Sequence, residues 1–396
     1  MKNINKKLLW VYIISSICYF AQGFESLPGL SLFFYLKEHL HFSPEKIMFL
    51  SSLITIPWII KPVWGFFIDN WLSHKKWIIL SSLLSICTCL FFGLSPILTI
   101  PLIILLGISG NIGTAFRDIS ADALMCVQGK ETNDCGNIQA LQWTSITIAS
   151  IIVGLVGGWI ADHSTYKLAF LCLAPIYLII ILIVSQYKEA EPQIFYNSSV
   201  DFHKPFFTKL LSYKEVFTNK RFLWACLFIF LYNYSPGFGT PLMFIERDKF
   251  LWTGTFMGFL GAITSAVSII GSIIYFKIGK KINIKKWLIG SVIFGSLTTL
   301  SYLYFTPISA VIYGLLYSTI GMFIFLIIMG FMAEQTITGK EAVSFAALCS
   351  VNNLASTCST VSGAWLYPRI GLQPLIIVSS LTSFICLLFI NKLEVK

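Results

Sequence analysis

Twelve stretches of this chain are long and apolar enough to cross a bilayer, and nothing else in the sequence limits its fold so strongly. Hydrocarbon is about 30 Å thick and a helix rises about 1.5 Å per residue, so a spanning helix needs roughly 20 mostly apolar residues. The runs are 8–36, 45–69, 77–95, 98–126, 137–160, 166–187, 221–245, 252–276, 287–305, 307–332, 341–366 and 370–391, called spans 1 to 12 below. They are far longer than barrel strands and do not alternate apolar with polar, so helices are expected. Only 12% of the 396 residues are charged, against roughly 25% in soluble domains. With 34 Phe, 16 Tyr and 11 Trp, the chain would overfill any soluble core. The fold expected is an all-α membrane protein of twelve transmembrane helices.

Basic residues set the orientation. With the N-terminus inside, the cytoplasmic segments hold 20 of the 28 Lys and Arg, and the outer loops hold six: Lys37, Lys46, Lys167, Arg247, Lys249 and Arg369. Both termini are therefore expected inside. Topology accounts for the net charge of +10, and no nucleic-acid partner is expected. Lys2, Lys6 and Lys7 begin a run too long for a cleaved signal, and no small-residue cleavage site closes it. The expectation is an uncleaved first span, inserted directly in a plasma (inner) membrane, with the bilayer as partner and a monomer as the state. The ten Cys show no metal-ligand spacing, and neither metal nor cofactor is expected.

The chain repeats itself. Lys37-Glu38 closes span 1 and Arg247-Asp248 closes span 7, an offset of 210; Lys75-Lys76-Trp77 and Lys285-Lys286-Trp287 open spans 3 and 9 at the same offset. Gly157-Gly158-Trp159 is echoed by Gly363-Ala364-Trp365. Two six-helix halves of like orientation, 1–187 and 221–396, joined by a polar cytoplasmic linker at 188–220, describe a transporter of parallel repeats.

Gly65-Phe66-Phe67-Ile68-Asp69 followed by Lys75-Lys76 resembles the G-x-x-x-D-(basic) loop of the major facilitator superfamily, in which Asp69 and Lys75 would form a conformational latch. Three longer stretches narrow the resemblance. Tyr19-Phe20-Ala21-Gln22-Gly23 and Phe33-Phe34-Tyr35-Leu36-Lys37-Glu38 lead into Pro57-Trp58-Ile59-Ile60-Lys61-Pro62-Val63-Trp64-Gly65. Arg117-Asp118-Ile119-Ser120-Ala121-Asp122-Ala123-Leu124 lies late in span 4, and Gly136-Asn137-Ile138-Gln139-Ala140-Leu141-Gln142-Trp143 opens span 5. In order and spacing these resemble the folate–biopterin transporter family, over about residues 15–165 and in pattern over 220–290. The resemblance implies a major facilitator fold and uptake of folates or pterins, commonly by proton symport. Arg117 departs from the small or polar residue expected before that Asp.

Intramembrane charges are the natural site candidates whatever the family, because an ionisable group in hydrocarbon needs a partner or a cavity. Lys61 and Asp118 each lie eight residues from the inner end of their spans, about 12 Å deep, so an ion pair fits. Asp118 and Asp122, four apart, share a helix face, where two carboxylates raise each other's proton affinity; both are proton-coupling candidates. Arg117, about 100° round the helix, faces either an anionic substrate or a neighbouring helix. Gln22 and Glu25 share a face of span 1 just before Pro28-Gly29, and span 7 is interrupted over 232–241 by two Pro and two Gly. Paired interruptions point to a substrate site or gate. A flat pterin suits stacking and edge hydrogen bonds, which Tyr232 and Asn233, and Gln142 and Trp143, could offer. Plainer readings stand beside these: Asp122 completing the latch, the aromatics packing or facing lipid, and Asn352-Asn353, Ser356, Thr357 and Ser359 tying helices together.

Enzyme chemistry is poorly supported. The five His lie in loops or at span ends, without metalloprotease spacing, and no P-loop or GxSxG is present. A metal-dependent transferase built on Asp118 and Asp122 lacks a second Asp-rich motif. The reading is a secondary transporter of folate or a pterin; the alternative is a major facilitator carrier of another solute, such as S-adenosylmethionine or a peptidoglycan fragment.

Overall fold

Peptide groups find no water in hydrocarbon, and this chain satisfies them by folding into helix almost throughout. The computed structural model describes residues 6–132, 135–189, 214–278, 283–337 and 341–393, and no strand occurs among them. Most of the expected linker lies outside the described residues. Within the described residues, nine helical segments cross a membrane on length and apolarity alone. Leu105, Leu182, Leu297, Leu316 and Leu381, each more than half exposed, turn to lipid. The protein is an integral multi-pass membrane protein.

Spans 2, 7 and 11 complete the twelve, and each is broken or polar for a local reason. Span 2 runs as Pro44–Ile54, Ile56–Ile59 and Lys61–Asn70, because Pro57 and Pro62 cannot donate to a continuous ladder. Span 7 stops at Asn233 and resumes at Gly239–Asp248. Span 11, Glu341–Ile370, carries the Asn352–Ser359 polar stripe. Span 1, expected as one run, breaks between Lys6–Phe24 and Gly29–Phe34; residues 25–28 and 235–238 are thus interruptions at the repeat offset of 210.

Helix starts follow their capping residues. Asn219 accepts from Phe222 N at 3.1 Å and Asn283 from Lys286 N at 3.0 Å, while Thr306 and Ser309 form a reciprocal box before span 10. At the start of span 3 the Glu189 carboxylate accepts from His74 N at 3.2 Å and Lys75 N at 3.0 Å, an anion at a helix N-terminus. Lys75 Nζ in turn bonds the carbonyls of Ser185 and Tyr187 at 2.7 and 2.6 Å, capping the end of span 6.

Of the buried cores among the described residues, one of the two largest comes from spans 1 and 3–6 around Ile14, Ile78, Leu173 and Ile180. The other, from spans 7 and 9–12, centres on Phe228, Leu288, Phe331 and Leu348. Spans 5 and 8 join them at backbone distance. A Cβ at Gly154, Gly158 or Gly258 would lie 2.6 Å from Gly258 O, 2.6 Å from Gly254 O or 2.1 Å from Gly154 O respectively, so only glycine fits that seam.

Candidate functional site

The breaks in span 2 expose carbonyls that an unbroken helix would have used. Pro57 O accepts from Trp64 Nε1 at 2.9 Å, and Trp58 O accepts from Asn353 Nδ2 of span 11 at 3.1 Å. Trp58 Nε1 donates to Asn111 of span 4 at 2.8 Å. The indole is held by Asn111 and its own backbone by Asn353, and Lys61 Nζ lies 4.5 Å from the ring centroid.

Lys61 pairs with Asp118, as their equal depth predicts. Asp118 is buried and the ammonium only slightly exposed. One turn on, Asp122 Oδ1 accepts from Tyr19 Oη at 2.6 Å and Gln142 Nε2 at 3.2 Å. Asn353 of span 11 reaches the same break in span 2. Spans 1, 2, 4, 5 and 11 thus converge on one cation and two carboxylates.

Arg117 turns the other way. It is 1% exposed and pairs with Glu25 in the span 1 break, donates to Ser85 at 3.2 Å, and stacks 4.8 Å from the Tyr177 ring. Glu25 also accepts from Thr114 at 2.7 Å and Tyr177 at 3.0 Å. Of the two readings the sequence left open for Arg117, the structure has the neighbouring helices; no surface remains on it for a ligand.

The other candidates fall in different places. Gln22 is half-buried and makes no hydrogen bond with any described residue. Trp143 meets Phe325 of span 10 edge to face at 5.0 Å, a contact between halves. Tyr232 donates to Ser291 at 2.8 Å within the second core, and Asn233 bonds Ile229 O of its own helix at 2.9 Å. The side chain of Asp69 lies outside the described residues, and Lys75 is engaged by span 6 as above. Among the described residues no group of three His, Cys, Asp or Glu is placed to hold a metal. Sequence reasoning passed over Tyr19, Trp58, Asn111, Tyr177 and Glu189. Tyr19 and Trp58 stood inside the quoted stretches, but only the fold shows which way they face.

Searches against known proteins agree on architecture. The chain is 24% identical to a folate-biopterin transporter of Synechocystis over 97% of its length and 82% of that protein. It is 25% identical to folate transporter 1 of Plasmodium falciparum over 98% and 80% respectively. Among solved structures, a D-xylose-proton symporter superposes with TM-score 0.75 at 12% identity, covering 97% of each chain. The nucleoside transporter NupG superposes with TM-score 0.69 at 17% identity, covering 99% of this chain and all of that one. The fold is that of major facilitator transporters, and these relatives are transporters rather than enzymes. The BT1 family profile matches residues 22–393, and the chain belongs to the BT1 family, whose curated relatives include folate–biopterin transporters.

Proposed function

We propose that the chain carries folate or a related pterin across a plasma (inner) membrane by alternating access, as a monomer driven by proton symport, with both termini cytoplasmic. One observation carries the mechanism: the buried Lys61–Asp118 pair on a broken helix, beside Asp122, with the Trp58 carbonyl freed at that break bonded by Asn353 of the second half. The relatives' names supply the substrate class.

A folate offers carboxylates and a flat pterin. In the absence of substrate Asp118 neutralises Lys61. A proton taken by Asp118, or shared with Asp122 across one helical turn, releases the ammonium for a substrate carboxylate. Proton and anion then enter together. Trp58 offers a fixed aromatic face nearby, and Gln22 a free amide for a heterocycle edge. Glu25 and Arg117 serve as a brace.

Uptake of labelled folate into proteoliposomes, with and without an inward proton gradient, tests the reading. Concentrative uptake competed by pterins and lost in Asp118→Asn is expected. Uptake indifferent to the gradient would remove proton coupling. Folded, oriented protein that ignores folate would reassign the cargo to another solute.

A further inference from the structure

Lys37-Glu38 and Arg247-Asp248 are repeat-related pairs at the ends of spans 1 and 7, and they are bonded crosswise. Lys37 pairs with Asp248, and Arg247 Nε donates to Glu38 at 2.8 Å. Each cation also lies on an aromatic ring of the other half: Lys37 Nζ is 5.1 Å from the Phe244 centroid, and Arg247 Cζ is 4.2 Å from that of Phe34. Phe34 and Phe244 are themselves related by the offset of 210. Each half therefore contributes one Phe-x-x-cation-anion strip, and each strip is complementary to the other when residues 210 apart are exchanged. Chance meetings of surface side chains would not give two ion pairs and two cation–π contacts related by one operation.

The surroundings reinforce the contact. Phe33 meets Phe244 edge to face at 5.5 Å, and Met243 and Met257 pack on the same cluster. Asp162, at the end of span 5, accepts from the N-terminus of span 8: Gly254 N at 2.7 Å, Thr255 N at 2.6 Å and Thr255 Oγ1 at 2.6 Å. Lys37 is nearly buried, whereas Asp248 is more than half exposed, so water reaches the contact from one side only.

We infer that these strips form a self-complementary clasp that shuts the end of the transporter opposite its termini and must part for that end to open. The inference uses alternating access but is independent of the cargo. Four side chains set the balance between closed and open, and they compete with water and salt once separated.

The test is a distance measurement without substrate. Spin labels at Lys46→Cys and Tyr304→Cys, exposed positions at this end in different halves, are introduced in a background whose native cysteines are replaced and whose uptake is intact. Neutralising one pair with Asp248→Asn should raise the open-to-closed ratio about fivefold, and adding Glu38→Gln about fivefold more. Exchanging charges with Lys37→Asp and Asp248→Lys should return the distribution to within about twofold of the parent, and this variant keeps the test decisive if the neutralised ones fail to fold. Unchanged distances on neutralisation, or an exchanged pair that stays open, would overturn the clasp.

Discussion

Replacing Glu25 by Ala should destabilise the first half severely while leaving the Lys61–Asp118 pair in place. Arg117 is 1% exposed, and among the described residues Glu25 is the one carboxylate it pairs with. What remains to it is two hydroxyls, Ser85 at 3.2 Å and Thr114 at 3.4 Å, and the face of Tyr177. Leaving a buried charge unpaired costs about 3–5 kcal/mol, and the residual contacts argue for the lower end. At roughly 2–4 °C per kcal/mol for a unit the size of this half, the loss is about 6–12 °C in a detergent melt followed by tryptophan fluorescence. Arg117→Met should cost less, about 1–3 kcal/mol, since Glu25 is partly exposed and keeps Thr114 and Tyr177 as donors. The double variant Glu25→Gln with Arg117→Met removes both charges and should recover most of the loss, because a buried pair exchanged for apolar volume is often neutral. A Glu25→Ala protein that melts like the parent yet transports nothing would refute the brace and return both residues to the substrate path. Strictly additive losses in a cycle completed with the Glu25→Gln single variant would refute the pairing itself.

Three further outcomes follow from the same geometry. Gly258→Ala would drive a Cβ to 2.1 Å from Gly154 O; overpacking of about 1–3 kcal/mol should cut uptake at least fivefold, with Gly261→Ala, whose Cβ meets nothing within 4 Å, as the silent control. Asn353→Ala leaves Trp58 O without its donor, and about 1 kcal/mol lost from one state of the cycle should change turnover several-fold with little change in melting temperature. Glu189→Ala removes the acceptor at the start of span 3 and should cost about 1 kcal/mol in a melt; an unchanged midpoint would count against the cap.

Span number, the repeat and the Lys61–Asp118 pair were legible because each depends on distance along the chain. Length fixes what crosses hydrocarbon, and residue count fixes depth, so two charges at equal depth can be paired on paper. Facing is different. A helix wheel puts Arg117 about 100° from Asp118, but only packing decides that this direction meets Glu25 rather than a ligand. Lys75 shows the same limit: its place after the second span says nothing of the span 6 carbonyls of Ser185 and Tyr187 that its ammonium bonds. Tyr232 and Asn233 sit at the break that the sequence located, but their polar atoms point to Ser291 and to their own helix. Residues joining the halves, such as Asn353 and Trp143, belong to contacts 295 and 182 positions apart in the chain, beyond any local pattern.

The glycine seam between spans 5 and 8 has a mechanical consequence. Interlocked side chains resist sliding, because every step must lift them out of one set of grooves and into another. Gly154, Gly158 and Gly258 present bare backbone to bare backbone, a pair of smooth races with no teeth to disengage. Rotation about that line forfeits little dispersion and asks no rotamer to change, so the seam behaves as a low-friction bearing, and resistance to motion is left to contacts at the rims.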